Sequence, residues 1–306
     1  MNTKINTRYY KFSKYLEEKF GTKVYKITLD AGFSCPNRDG TISSEGCIFC
    51  DEQGSFSLSH SSLLPIREQV KEAIRNLPAR YNAKKFLAYF QAYTNTYGSL
   101  NFLKKTYDEA FSDDRIVGIS IGTRPDCVDI KKIKLISTYP NPWIEYGLQS
   151  VHNKTLKLIN RGHDFETFLR SYELTKKFDI KVCVHVILGL PDETYDDMIQ
   201  TALTLQKLRP DGVKFHVLTV LRGTKLHELY LQNKLKLMSE DEYCNILCDF
   251  LELLPPDTTI HRTAGTGLID ELIAPLWVKN KFETQNKIDL FLFERQTHQG
   301  FKYNLK

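Results

Sequence analysis

Three cysteines lie close together near the N-terminus: Cys35, Cys47 and Cys50, in the pattern C-x11-C-x2-C. Thiolate sulfur is a preferred ligand of zinc and of iron–sulfur clusters, and cysteines two residues apart can reach the same metal centre. Four thiolates would complete a tetrahedral zinc site or ligate every iron of a cubane cluster. Three thiolates would leave one iron of a cubane without a protein ligand, and a cofactor or substrate can occupy that position.

The same three cysteines permit two other interpretations. They could bind structural zinc, with His60 as the fourth ligand, or they could be unrelated buried thiols. The spacing alone does not decide between these alternatives and the iron–sulfur cluster. The interpretation therefore depends on the elements that position the cysteines.

The composition is that of a globular protein with a mildly basic surface. Hydrophobic residues make up 42% of the 306 residues, charged residues make up 26%, and the formal net charge is +5. This charge permits a polyanionic partner without requiring one. The N-terminus lacks the apolar segment of a signal peptide, and no run approaches the roughly 18 apolar residues of a membrane span. Seven cysteines, an odd number, argue against a disulfide scaffold, so we expect a cytoplasmic protein without membrane association.

Apolar periodicity predicts alternating strands and helices through most of the chain. The predicted strands span residues 23–30, 85–93, 115–122, 143–149, 181–188 and 212–220, and the predicted helices between them span 62–77, 100–112, 130–137, 165–178 and 194–208. Several of the strands are almost continuously apolar, which is typical of a parallel sheet covered by helices. Only residues 258–262 offer a further strand. We therefore expect an α/β fold, an open, partial (β/α)6 barrel of the TIM type.

This pattern divides the chain into three parts. Residues 1–22 are an N-terminal extension with a helix, and residues 23–220 form the partial barrel. Residues 221–306 form a C-terminal extension of helix and strand, which we expect to close the barrel and to contact substrate. No helix begins with a G-x-G-x-x-G segment, which argues against a Rossmann nucleotide site.

Polar residues accumulate at the carboxyl ends of the predicted strands, where barrel enzymes place their chemistry. The cysteine loop follows the first strand, and its expected neighbours are Gln91, Thr94, Arg124, Gln149 and Ser150, with Arg161 in the segment INRGH. Arg124 suits the carboxylate of a ligand, but it could instead pair with Asp126. His185 and His216 lie inside predicted strands, where they are either satisfied in the interior or face the substrate.

Several motifs together resemble the radical SAM superfamily. They are the cysteine loop after the first strand, with Phe49 before the last cysteine, the segment YFQAYTNTY at the second strand, and GLQS, TLKLINRGH and ILGLPDET further along. The last three are similar to the fourth- and fifth-strand regions of the Elongator catalytic subunit. The segments CPNRDGT, FQAYTNTY, TRPDC and INRGH most resemble the bacterial YtqA/YhcC-type (MnmL-like) branch, over nearly the whole chain.

The resemblance implies a barrel of the radical SAM type and two cofactors, a 4Fe-4S cluster and S-adenosylmethionine (SAM). Cys35, Cys47 and Cys50 would hold three irons, and the amine and carboxylate of SAM would chelate the fourth. One electron would then cleave SAM to methionine and a 5′-deoxyadenosyl radical, which abstracts hydrogen from the substrate.

The resemblance also implies roles for the residues around SAM. Phe49 would lie beside the adenine or pack against the cluster, and Gln91 and Thr94 would contact the methionyl amine. Arg124 and Arg161 are the candidates for the methionyl carboxylate, and Gln149 and Ser150 would reach the ribose or the methionyl group. No residue is assigned as the catalytic one.

The substrate is implied by the same branch. Relatives of the Elongator type act on carbon 5 of the wobble uridine, and the resemblance implies trimming of a carboxymethylaminomethyl group to aminomethyl in tRNA. Flavodoxin or ferredoxin would supply the electron. Two alternatives stay open: a radical SAM enzyme that acts on a small metabolite or a protein side chain, and a non-enzymatic, zinc-stabilised RNA-binding module.

Overall fold

The structure is a computed structural model, and it describes residues 7–51, 64–77, 81–265 and 270–303. The strands are β1 (Val24–Leu29), β2 (Lys85–Phe90), β3 (Ile116–Thr123), β4 (Pro142–Gln149), β5 (Lys181–Leu188), β6 (Gly212–Val217), β7 (Val220–Leu221), β8 (Thr259–Arg262) and β9 (Leu272–Ala274). A seven-stranded parallel sheet has the order β1-β2-β3-β4-β5-β6-β8, and β7 pairs with β9 in a small antiparallel sheet. Because each parallel strand is added beside its predecessor, the sheet winds in one direction and forms a half-barrel.

Helices connect the strands and cover the outer face of the sheet. They are α1 (Phe12–Phe20), α2 (Ile66–Arg75), α3 (Leu100–Ala110), α4 (Ile130–Ser137), α5 (Asn153–Leu158), α6 (Phe165–Lys176), α7 (Tyr195–Leu208), α8 (Lys225–Leu231), α9 (Glu240–Leu253) and α10 (Lys281–Glu294). Short polar side chains begin several of them, as when Thr194 and Ser239 form capping boxes with Asp197 and Glu242. Among the described residues, no helix is long and apolar enough to cross a bilayer.

Alternate residues of each strand face the helices or the barrel interior. Outward-facing side chains such as Phe86 and Phe90 of β2 belong to the large core beneath the helices. Inward-facing side chains near the amino ends of the strands, such as Trp143, form a separate cluster with Phe12 and Leu16 of α1. Helix α1 therefore closes the amino-terminal end of the half-barrel, and the opposite end is left for a site.

The structure confirms the predicted partial barrel and changes the ends of several elements. The second strand ends at Phe90 rather than at residue 93, and the predicted strand 212–220 is divided into β6 and β7. The division arises because the chain leaves the parallel sheet after Val217, and the next strand pairs with β9. Residues 259–262 form β8, which pairs with β6 as the seventh strand.

Candidate active site

A cavity opens at the carboxyl ends of the parallel strands, and the three cysteines of the loop after β1 line it. Cys35, Cys47 and Cys50 share this cavity with residues from the ends of the other strands. Backbone hydrogen bonds shape the loop: the carbonyl of Cys35 accepts from the N–H of Arg38 at 2.8 Å, and the Cys50 N–H donates to the carbonyl of Cys47 at 2.9 Å. The Ile48 N–H donates to a carbonyl just beyond α5 at 3.1 Å, which ties the loop to the region after β4.

Cys47 is surrounded by hydrogen-bond donors. Arg161 Nη1 lies 3.4 Å from its sulfur, and the amide Nδ2 of Asn37 lies 3.6 Å from it. The other nitrogens of the same guanidinium, Nε and Nη2, donate to the carbonyl of Gly147 at 3.1 and 2.6 Å, which fixes the orientation of the group. Hydrogen bonds to thiolate sulfurs stabilise and tune metal–thiolate centres. Cys47 therefore lies in the environment of a metal ligand.

Cys50 lies in a site where the free thiol stays protonated. Burial raises the pKa of the Cys50 thiol to about 12, and the neighbouring Cys47 adds to the rise. The thiolate is the form that binds a metal, so metal binding at such a position releases a proton.

Six of the seven residues expected at SAM line the cavity with the cysteines. They are Phe49, Gln91, Thr94, Arg124, Gln149 and Arg161. Ser150 is not among the lining residues, because its hydroxyl donates to Glu193 and accepts from the backbone N–H of His152. The sequence placed Ser150 correctly after β4, but it did not show this competing carboxylate.

Arg124 forms the ion pair that the sequence offered as its alternative role. Its Nε and Nη2 donate to the two carboxylate oxygens of Asp126 at 2.9 and 2.8 Å, and its Nη1 donates to the carbonyl of Arg161 at 2.8 Å. Arg124 thus lines the cavity while it holds the segment that carries Arg161. A ligand carboxylate at this position would share the guanidinium with Asp126.

Polar atoms of three cavity residues lack a partner among the described residues. Thr94 Oγ1, Gln149 Oε1 and His216 Nε2 are buried without a hydrogen bond. Gln149 also has a backbone φ of +79°, in the left-handed region that non-glycine residues rarely adopt. Buried polar atoms in folded proteins are nearly always hydrogen-bonded, so these atoms are available to a polar ligand or to ordered water in the cavity. The residues present therefore fit a cofactor that carries amine, carboxylate and hydroxyl groups, as SAM does.

The loop cysteines do not form the compact group of ligands that a single metal ion requires. Zinc–sulfur bonds are about 2.3 Å long, so the sulfurs on one ion lie within about 4.6 Å of each other. In the described part of the chain, the group of three possible ligands whose atoms lie within 4.8 Å is Glu145, Cys183 and His261, and the loop cysteines do not form such a group. His60, the fourth ligand in the zinc alternative, lies outside the described residues.

A charged cluster inside the barrel was missed by the sequence reasoning. Glu145 is fully buried, and its carboxylate accepts from Lys26 Nζ at 2.5 Å and from Ser120 Oγ at 2.7 Å. Lys214 Nζ lies 3.2 Å from the same carboxylate, and His185 Nε2 lies 2.8 Å from it. The available signal was the presence of charged residues at alternate positions within otherwise apolar strands, as in WIEYGLQ and GVKFHV.

The buried cluster changes the ionisation of its members. Although burial opposes ionisation of Glu145, Lys214 and Lys26 hold the pKa of its carboxyl well below the ordinary value. Burial lowers the pKa of His185 to about 4 and that of Lys214 to about 8. The two predicted interior histidines are therefore neutral at pH 7: His185 contacts Glu145, and burial, together with His185, lowers the pKa of His216 well below its ordinary value.

Comparison with known proteins agrees with this geometry. The family model described as the Radical SAM superfamily matches residues 38–205, and the model described as the Radical_SAM C-terminal domain matches residues 210–292. The protein YtqA of Bacillus subtilis is 39% identical over 298 residues, which cover 96% of this chain and 92% of that protein. Protein YhcC of Escherichia coli is 38% identical over 283 residues, which cover 91% and 90%. The predicted branch is confirmed.

A solved structure shares the fold. The Elp3 of the archaeon Methanocaldococcus infernus superposes with a TM-score of 0.68 at 16% sequence identity, over 90% of this chain and 64% of that one. At this identity the likeness concerns the fold alone. It supports the partial barrel with its C-terminal additions.

Replacement of Arg161 by Met should make the reduction potential of the reconstituted cluster more negative. The change removes a positive charge and an N–H donor from the Cys47 sulfur, and both favour the reduced cluster. The measurement is a redox titration followed by electron paramagnetic resonance. Arg170→Met, at an exposed position on α6, is the control and should leave the potential unchanged. Equal potentials for wild type and Arg161→Met would contradict the proposed contact.

The pH dependence of stability should depend on His261, which is stacked on Phe12 with ring centroids 3.7 Å apart. Burial lowers its pKa from 6.5 to about 3. Between these values the unfolded chain binds a proton that the folded chain excludes, so stability falls as the pH is lowered below 6.5. The loss is on the order of 1 kcal/mol for each pH unit.

The test is urea unfolding at pH 7, 6 and 5. His261→Gln should flatten the decrease in unfolding free energy relative to wild type, because the substituted side chain does not titrate. His298→Gln, at an exposed position after α10, serves as the control and should keep the wild-type slope. A His261→Gln slope equal to that of wild type would show that His261 does not contribute.

Proposed function

The chain belongs to the radical SAM superfamily, and on that premise we propose that it trims a carboxymethylaminomethyl group at carbon 5 of the wobble uridine of tRNA to aminomethyl. Its cofactors are a 4Fe-4S cluster and SAM. When bound, they would supply a 5′-deoxyadenosyl radical, formed by one-electron cleavage of SAM, that abstracts a hydrogen atom from the carbon between the amine and the carboxylate of the substrate. Loss of a second electron, which the oxidised cluster can accept, would give an imine, and its hydrolysis would release the carboxymethyl group as glyoxylate and leave the aminomethyl group. The protein provides the ligands, the orientation of the reactants and the exclusion of water.

Cys35, Cys47 and Cys50 are the proposed ligands of the cluster. The observation that carries this proposal is that all three thiols line one cavity, in which the Cys47 sulfur faces Arg161 Nη1 at 3.4 Å. The match to the radical SAM family begins inside the same loop, at residue 38. Arg161 is better suited to orient and charge-stabilise the sulfur than to bind a carboxylate of SAM, because all three of its nitrogens already contact protein atoms.

We assign each of the remaining predicted residues that line the cavity to a group of SAM. Thr94 Oγ1 and Gln149 Oε1 are the buried acceptors that lack a partner among the described residues, and we assign them to the amine and the hydroxyl groups of SAM. Gln91 and Phe49 line the same cavity, with Phe49 available to the adenine. Arg124 offers a guanidinium that is already oriented by Asp126. Ser150 is left out, because its hydroxyl is bonded to Glu193.

The substrate assignment is supported by the similarity to the YtqA/YhcC-type branch and by charge. The formal net charge of +5 suits a polyanion, and the family resemblance of the motifs implies the wobble uridine. The proposed setting is the cytoplasm, where tRNA and a low-potential donor such as flavodoxin or ferredoxin are present.

The test compares the modified nucleosides of total tRNA from a deletion strain and its parent. In the deletion strain the carboxymethylaminomethyl nucleoside should accumulate and its aminomethyl product should disappear. Wild-type protein and Cys244→Ala should restore the product, because Cys244 is a fully buried thiol on α9, outside the cavity. Cys47→Ala should not restore it. An unchanged nucleoside profile in the deletion strain would refute the tRNA assignment.

A further inference from the structure

The cavity that contains the cysteines also reaches the charged cluster inside the barrel. Tyr89, Glu145, His185, Lys214 and His216 line it together with the three cysteines. Lys214 is the third residue of β6, which ends at Val217. At about 3.3 Å per residue, its backbone therefore lies roughly 10 Å below the end of the strand. The cavity thus has a floor, distinct from the thiol loop, that is made by side chains of the strand interiors.

The floor carries more positive than negative charge. The carboxylate of Glu145 faces two ammonium groups, those of Lys26 and Lys214, at 2.5 and 3.2 Å. Arg262 adds a third cation near the floor. Among the described residues, no carboxylate lies within 4.0 Å of its guanidinium, which is the limit for an ion pair. Its side chain lies against Gly265, where an added Cβ would be 2.5 Å from Arg262 Cδ, and Gly265 lines the cavity.

Burial of this surplus positive charge lowers the stability of the folded protein. Only 5% of the Lys214 side chain is exposed, and its hydrogen bond at 2.7 Å to the hydroxyl of Tyr89 does not neutralise it. A buried charge is stable when it is paired and hydrogen-bonded. His216 also offers Nε2, a buried nitrogen that has no hydrogen-bond partner within the described part of the chain. The side chains of the floor therefore suit the binding of an anion.

A metal ion does not suit this position. Glu145, Cys183 and His261 bring three ligand atoms within 4.8 Å of one another, but the two ammonium groups on the carboxylate would repel a cation. Lys214 lines the cavity, so a negatively charged group in the cavity can approach its ammonium.

We propose that the floor of the cavity binds a carboxylate of the substrate, with Lys214 as its direct partner and His216 beside it. This inference rests on the proposed function, because it takes the carboxymethylaminomethyl substituent as the group that enters the barrel. A carboxylate held at Lys214 leaves the adjacent carbon on the side of the thiol loop, where hydrogen abstraction has to occur. Lys214 is thereby the residue that distinguishes the carboxylated side chain from uncharged ones.

The experiment measures equilibrium binding of an anticodon stem-loop RNA to the reconstituted protein without an electron donor, so that no turnover occurs. One RNA carries the carboxymethylaminomethyl group and the other carries its methyl ester, which has the same shape without the charge. Wild type should bind the acid about 10- to 100-fold more tightly, the range expected for a charge-assisted hydrogen bond. Lys214→Met should reduce this preference to about twofold or less, and Lys214→Arg should retain it.

Lys154→Met, at an exposed position on α5, is the control. The ammonium of Lys154 pairs with Asp197 at 3.1 Å and Lys154 does not line the cavity, so the preference for the acid should persist. The ratio of the affinities of wild type for the acid and the ester RNA is a test that needs no variant, because equal binding of the two would overturn the inference. An undiminished preference in Lys214→Met would also overturn it.

Supplying the electron donor to wild type separates the inference from the proposed function. Failure to convert the acid RNA refutes the proposed function and the inference together, whereas conversion without a preference refutes the inference alone.

Discussion

One buried carboxylate organises the interior of the half-barrel. Glu145 of β4 contacts side chains from β1, β3, β5 and β6, and His261 of β8 lies 3.7 Å from it. The strands β1 and β8 are the two edges of the sheet, so the carboxylate links side chains from both edges of an open barrel. Removal of one partner from a buried ion pair typically costs about 3–5 kcal/mol, because the other charge is left uncompensated. The shape of the cavity above the cluster depends on this interaction.

The two ends of the barrel interior serve different purposes. At the amino end, Phe12 and Leu16 of α1 fill the space between the strands with apolar side chains. At the carboxyl end, Thr94 and Gln149 keep polar atoms buried and unpaired within the described structure, an arrangement that lowers stability until a ligand binds. The thiol loop lies at this second end, fixed by its own backbone hydrogen bonds and by Arg161. The carboxyl end of the half-barrel therefore combines the thiol loop with polar atoms that are available to a ligand.

The periodicity of the strands and the spacing of the cysteines predicted the barrel and part of the cavity wall, because both signals are local. The cluster around Glu145 was not predictable in the same way: alternation places a residue on the inner face, but Lys26 and Lys214 are 119 and 69 residues away from their partner. Ser150 illustrates the same limit, since its position after β4 was correct while its bond to Glu193 depends on a loop 43 residues later. The division of the sixth predicted strand likewise follows from pairing with β9, which sequence proximity does not show.

The central claim is that Cys35, Cys47 and Cys50 bind three irons and leave the fourth to SAM. Mössbauer spectroscopy of protein reconstituted with the iron-57 isotope, recorded with and without SAM, tests it directly. The account predicts the spectrum of a 4Fe-4S cluster in which one iron changes its parameters when SAM is added and the other three do not. A protein that binds zinc instead of the cluster, or a cluster whose four irons are all unaffected by SAM, would contradict it.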